Sequence, residues 1–276
     1  MRTLLLSCVL LLAACDEGAP IDPSTMAAST STSATSGAGG NGGSSASSGG
    51  SGGSMVAPPR VLLFSKTAGY RHESIPTAIA ALEAAGSTRG WTTQATEDAS
   101  LFSAQNLAAF DVVAFVMTTG DVLDAEQETA FQEFIQAGGG YVGVHSASDT
   151  EYGWSWYGEL CGAYFAGHPA IQPATLIVEN MMHPATQHLG ATWMRTDEWY
   201  SFDHDPRPEV DVLVSIDEAT YDVGGLAMGD HPMAWSHEFD GGWAFYTALG
   251  HSIESYAEPE FMQHLVGGIE WVANQP

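Results

Sequence analysis

The stretch Gly138-Gly139-Gly140-Tyr141-Val142-Gly143-Val144-His145-Ser146-Ala147-Ser148-Asp149-Thr150 decides how this chain is read. Its glycines close a helix-like run, a short apolar strand follows, and polar residues begin abruptly at His145. In an open α/β sheet the carboxyl ends of central strands are where loops and helix N-termini converge, so ligands and chemistry collect there. A nucleophile-bearing turn would carry Ser or Cys at that exit, whereas here it carries His145 with Ser146 beside it. The position is therefore metal-assisted, acid/base, or not catalytic at all.

Upstream, Arg60 to Ser65 and Asp111 to Met117 are apolar runs of the kind that doubly covered parallel strands require, and Trp91 to Thr96 is a weaker third. A helix is expected after Ser74, with Ser74 as N-cap, Pro76 in the first turn and Gly86 as its end. A second helix follows Asp124, its apolar face Phe131, Phe134 and Ile135. Strand, helix and strand with short connections imply right-handed parallel crossovers. His72, in the first strand-to-helix loop, then faces the same sheet edge as His145.

Downstream, residues 154–165 are aromatic-rich, with a helix and its exit expected over 159–165, and His-Pro pairs recur at 168, 183 and 231. Alternation in Asp197-Glu198-Trp199-Tyr200-Ser201-Phe202 reads as a strand with Glu198 and Tyr200 on one face and Trp199 on the other. Asp230-His231-Pro232 enters another strand and can present a carboxylate beside an imidazole. The strand from Gly242 runs straight into His251, which occupies an exit like that of His145. A helix from Glu260 to Val272 closes the chain.

Composition divides the chain further. Residues 1–14 form an apolar run with Arg2 near its start, too short for a permanent membrane span, and Leu12-Ala13-Ala14-Cys15 resembles a bacterial lipoprotein signal, which implies lipidation of Cys15. Residues 15–57 are Ser, Gly, Thr and Ala with almost no large apolar side chain; they read as a tether with a reach of roughly 35 Å. Residues 58–276 suffice for one α/β domain. Cys161 is the one cysteine left to the folded part, so no disulfide is expected. The excess of 33 acidic over 7 basic side chains gives a formal charge of −26, which repels phosphate backbones and excludes nucleic acid as a partner.

Gly138 to Thr150, Asp197 to Phe202, Asp230 to Trp235, Tyr246 to His251 and Gly267-Gly268-Ile269-Glu270-Trp271 together resemble the ThuA-like, or trehalose-utilisation, family. The resemblance implies a flavodoxin-like three-layer α/β sandwich with a mostly parallel central sheet, of the class I glutamine amidotransferase-like kind. In amidotransferases the exit aligned with His145 bears a nucleophilic cysteine. That cysteine is absent here and Cys161 lies in an apolar run, so glutamine hydrolysis is not expected. The family's name and associations imply work on a disaccharide or an oxidised (keto) sugar.

One expectation is an exported, lipid-anchored enzyme of the cell envelope acting on a small sugar. His145, His251, Glu198 and Asp230 would be its catalytic residues, and His72, Tyr200, Trp199 and His231 would bind substrate. Mixed imidazole and carboxylate groups suit a divalent metal, zinc or another transition metal, although no spacing here forms a metal motif. A second expectation is a tethered carbohydrate-binding module without catalysis. A third is a serine hydrolase using Ser146 with His251. Oligomeric state is not legible.

Overall fold

The computed structural model describes residues 57–275; the expected signal at 1–14, Cys15 and the tether, save for Ala57, lie outside the described residues. The chain begins as expected, with β1 (Arg60–Phe64), α1 (Ile75–Arg89), β2 (Thr92–Thr96), a short α2 (Ala104–Leu107), β3 (Val112–Val116), α3 (Ala125–Gln136) and β4 (Gly140–Val144). α3 starts where Asp124 closes a capping box: its carboxylate accepts from the Glu126 and Gln127 amides at 3.0 Å, and the Gln127 side chain accepts from the Asp124 amide. Then come α4 (Ser155–Cys161), β5 (Phe165–Gly167), β6 (Gln172–Val178), β7 (Thr192–Asp197), β8 (Ser201–Phe202), β9 (Asp211–Ile216), β10 (Pro232–Phe239), β11 (Gly242–Thr247) and α5 (Pro259–Ala273).

The main sheet has nine strands in the order β2-β1-β3-β4-β11-β10-β9-β6-β7. β2, β1, β3, β4 and β11 pair in parallel; the four strands beyond β11 pair antiparallel, so β10 and β6 alone run against the other seven. β3 and β4 are buried along their whole length, as strands covered on both faces must be, whereas β7 alternates exposed and buried residues. The core against the parallel half is aromatic: Phe115 stacks on Phe131 at 5.2 Å and meets Phe64 and Tyr141 edge-on.

Several local expectations are corrected. α1 runs past Gly86 to Arg89 and ends on Gly90, which takes the left-handed cap at φ +77°. Ser74 does precede that helix, but its hydroxyl makes no cap; it donates instead to the His251 carbonyl at 2.6 Å. The stretch 197–202 is not one strand, since β7 stops at Asp197 and an irregular turn separates it from the two residues of β8. α4 begins earlier than the expected 159–165 helix and stops at Cys161. The glycine pair in α5 lets that helix lie directly on the backbone at Pro184 and on the Phe245 ring, positions a β-carbon would occupy.

Candidate metal centre

Four side chains from four separate chain segments meet at the carboxyl edge of the sheet. His72 comes from the β1–α1 loop, His145 is the first residue after β4, His251 follows β11, and Glu198 follows β7. One ligand atom from each lies within 4.8 Å of the other three. His145 is fully buried, His72 and Glu198 nearly so, and His251 faces the opening.

His145 sits at φ +52°, a left-handed conformation unusual for a residue with a β-carbon. Such strain costs on the order of 1–3 kcal/mol and is held by surrounding contacts. Here its ring Nδ1 donates to the Ala248 carbonyl at 2.7 Å, which turns Nε2, the atom a cation would take, toward the other three side chains. That nitrogen points into the cluster, 3.4 Å from Glu198 Oε2 and 3.3 Å from His251 Nδ1; His251 Nδ1 is in turn 3.1 Å from the same carboxylate oxygen. Four ligands at zinc distances of about 2.0–2.1 Å stand roughly 3.3 Å apart in a tetrahedron, so these three atoms are spaced as such an ion requires. His72 completes the group, its ring 4.8 Å from that of His145 and 5.2 Å from that of His251.

Burial, reinforced by the neighbouring His145 and His251 rings, pushes the His72 imidazole down to about 3, so it is neutral and its lone pair is available. For Glu198, burial alone would raise the carboxyl. Hydrogen bonds and charge from His145 and His251 outweigh it and hold the group well below the usual carboxylate range. The Glu198 hydrogen bond raises His251 above its ordinary value, against burial. Without an ion the cluster is thus an ionised carboxylate shared with a proton on imidazole; a cation would replace that proton. Three imidazoles and one carboxylate can hold a divalent metal ion, and this is the single such group among the described residues.

A buried ion pair supports the cluster. Asp197 is fully buried and accepts from the amides of Glu198, Gly250 and His251 at 3.0, 2.9 and 3.1 Å, while Arg195 pairs with it at 2.9 Å. One carboxylate therefore fixes the backbone of two cluster residues. Gly250, at φ +108°, is needed where it stands: a β-carbon would meet Phe261 and the Tyr256 hydroxyl at 2.8 Å. Neither Asp197 nor Arg195 is singled out by the sequence, because Asp197 finds its partners 53 and 54 residues further on. His168 is also brought in, its Nδ1 lying 3.2 Å from the second oxygen of Glu198.

Tyr200 packs tilted against His145, ring centroids 4.3 Å apart, and its hydroxyl lies 2.9 Å from Nε2, so Glu198 and Tyr200 do share a side although the strand expected to align them is absent. Trp199 points away; it is fully buried and donates to the Gln172 carbonyl, so it is no surface for a sugar. His231 is buried as well, and sits between the Tyr200 carbonyl at 2.8 Å and Glu218 at 2.9 Å, behind the cluster rather than in it. Asp230 lies outside altogether, exposed and clamped by Arg207, which also holds Glu179. Asp230 is removed from the candidate site because its carboxylate is committed to that surface ion pair. Ser146 is fully buried and its hydroxyl lies 3.4 Å from His72 Nδ1 rather than bonding His251. Cys161 is buried too, its thiol pushed up by burial to about 12, so it is no nucleophile.

The cluster opens into a cavity of about 320 Å³ walled by Tyr70, Asp149, Phe165 and His168. A larger cavity of about 550 Å³ between α4 and β10 contains none of the four cluster residues. The smaller one is the chemically equipped site.

A family model described as ThuA, trehalose utilisation, matches residues 60–272. The chain belongs to the ThuA family. A ThuA-like protein from Bacteroides uniformis matches the ThuA domain with a TM-score of 0.67 and 23% identity, over 79% of this chain and 92% of that one. Another from Parabacteroides merdae matches with a TM-score of 0.66 and 19% identity, over 79% and 91%. A cytoplasmic protein from Salmonella typhimurium matches with a TM-score of 0.53 and 11% identity, over 77% and 98%. At these identities the likeness is one of fold, the α/β sandwich with a mostly parallel central sheet. Comparison with curated proteins gives no match.

Proposed function

We propose that this ThuA-family protein is an exported, lipid-anchored, metal-dependent enzyme of the cell envelope that acts on a disaccharide or a keto sugar. The observation that carries the reading is the convergence of His72, His145, Glu198 and His251 within 4.8 Å at the mouth of a cavity large enough for a sugar ring. Nitrogen and oxygen ligands of this mixture favour zinc or another transition ion over calcium or magnesium. Held by these four residues, such an ion would supply Lewis-acid chemistry toward a carbonyl or hydroxyl oxygen of the sugar. Around it, the chain's own groups orient and exclude: Phe165 and Tyr70 wall the cavity, His168 stands 3.2 Å from the outer oxygen of Glu198 with its Nδ1 bonded to the Pro169 carbonyl, and Asp149 presents a half-buried carboxylate whose one oxygen is fixed by the Tyr152 hydroxyl at 2.7 Å. Lipidation at Cys15 and the tether at 15–57 would place this domain at a membrane surface. The family description, trehalose utilisation, supports the substrate class.

The test pairs metal analysis with product analysis. The purified full chain, loaded with zinc, is incubated with trehalose and with a keto derivative of it. Product should form with about one ion per chain, and both should vanish on chelation and in His145→Ala and His251→Ala. Unchanged turnover in chelated protein or in either variant would overturn the reading.

A further inference from the structure

A second cavity, about 300 Å³, adjoins the first and shares Tyr70, His72 and His251 with it. The cluster therefore lies at the junction of two spaces rather than at the end of one. Each is close to the lower limit of about 300 Å³ for small-molecule sites, enough for one ring. The far wall of the second space is amphipathic. Tyr70, Ile171 and Ile253 are 66%, 48% and 46% exposed around it, an unusual concentration of large apolar side chains at one opening. Between them stand the Glu73 and Glu254 carboxylates and the Ser252 hydroxyl, and no lysine or arginine lines either cavity.

Resting on the sugar reading above, we infer that this second cavity is a subsite for a second, uncharged pyranose ring, so that the ligand is a two-ring glycoside whose linkage region lies against the metal cluster. A pyranose has an apolar face and a rim of hydroxyls. Tyr70, Ile171 and Ile253 meet the first, and Glu73, Ser252 and Glu254 accept from the second. A phosphate or carboxylate on the side of that ring away from the cluster meets two carboxylates and no lysine or arginine, in a protein whose formal charge is −26, so sugar phosphates and uronates are rejected. Ser74 secures the wall from behind through its bond to the His251 carbonyl.

The experiment is calorimetry on the zinc-loaded full chain with methyl glucoside, trehalose and trehalose 6-phosphate. Trehalose should bind at least about tenfold more tightly than methyl glucoside, the worth of one additional ring seated against apolar surface. The phosphorylated disaccharide should fall back to or below the single ring. Ile171→Ser with Ile253→Ser should abolish the advantage of the second ring and leave methyl glucoside unchanged. Glu73→Gln with Glu254→Gln should restore binding of the phosphate ester. These residues are exposed, so circular dichroism should be unaltered. Equal binding of one and two rings, with methyl glucoside bound, overturns the subsite and leaves the sugar reading standing. Phosphate-independent binding overturns the charge selection. Binding of no sugar at all defeats both.

Discussion

In the parallel half of the sheet, β1, β4 and β11 lead at their carboxyl ends into His72, His145 and His251. In the antiparallel half the edge strand β7 ends at Asp197, and Glu198 arrives on the irregular segment that leaves it and turns back over the sheet. The two halves therefore meet the cluster by different physics. A parallel crossover returns every strand in the same direction, so exit residues gather on one edge without further instruction. A segment off an antiparallel edge has no such guarantee. It is held by a dedicated buried pair, Asp197 with Arg195, which ties Glu198 to the backbone of His251.

The sharpest way to break this comparison is to remove the one ligand from the antiparallel half. Glu198→Ala should cost at least about 100-fold in zinc affinity, beyond the 10–100-fold typical of residues that merely support a ligand. Zinc titration against a competing chelator measures it, and a loss below tenfold would mean that the parallel half holds the ion alone. Asp197→Asn comes next. It leaves buried Arg195 with only the part-exposed Glu258, 3.3 Å away, as a charge partner and should destabilise the fold by about 3 kcal/mol, read from urea denaturation, while weakening zinc less than Glu198→Ala does.

Acidification sharpens the comparison further. His72, His183, His237 and His264 are held neutral by burial, with values pushed down to about 3, 4, 4 and 3. Unfolded histidines titrate near ~6.5, so below that the unfolded chain binds more protons than the folded one. The stability these groups contribute is full above ~6.5 and is lost as pH falls toward their folded values. His251, raised by Glu198, and the Glu151 carboxyl, pushed up by burial to about 7, work in the opposite sense. Four groups outweigh these two, and the metal-free protein should melt at least about 5 °C lower at pH 5 than at pH 7. A flat melting temperature over that range would contradict the burial assigned to these rings.

The smallest effect is expected at Asp230, a candidate because the sequence sets its carboxylate beside His231 at the entry to a strand. Asp230→Asn loosens an exposed pair with Arg207, which keeps Glu179, and should change stability by less than about 1 kcal/mol with zinc affinity untouched.

The contrast also explains what could be read in advance. The strand exits at His145 and His251 were legible because short apolar runs bounded by glycine or polar loops mark buried parallel strands. His72 followed from the same rule. Glu198 and Tyr200 were paired for an incorrect reason, alternation along a strand that ends at Asp197, yet they still face one side because the turn keeps their side chains opposite that of Trp199. Asp230 and His231 look alike in sequence. What separates them is a partner, Arg207 on the surface for one and the half-buried Glu218 for the other, and no local pattern encodes either. Ser74 had the right residue type for a cap, but the His251 carbonyl, 177 positions away, took its hydroxyl.

The account stands on one ion bound by residues from both halves of the sheet. Loading the full chain with cobalt(II) and recording its visible spectrum tests this directly, because four-coordinate cobalt absorbs far more strongly than the hexaaqua ion. One cobalt per chain with intense visible bands, lost together in His145→Ala and in Glu198→Ala, is the predicted result. Cobalt uptake no greater than in those variants, or bands that survive both substitutions, would contradict it.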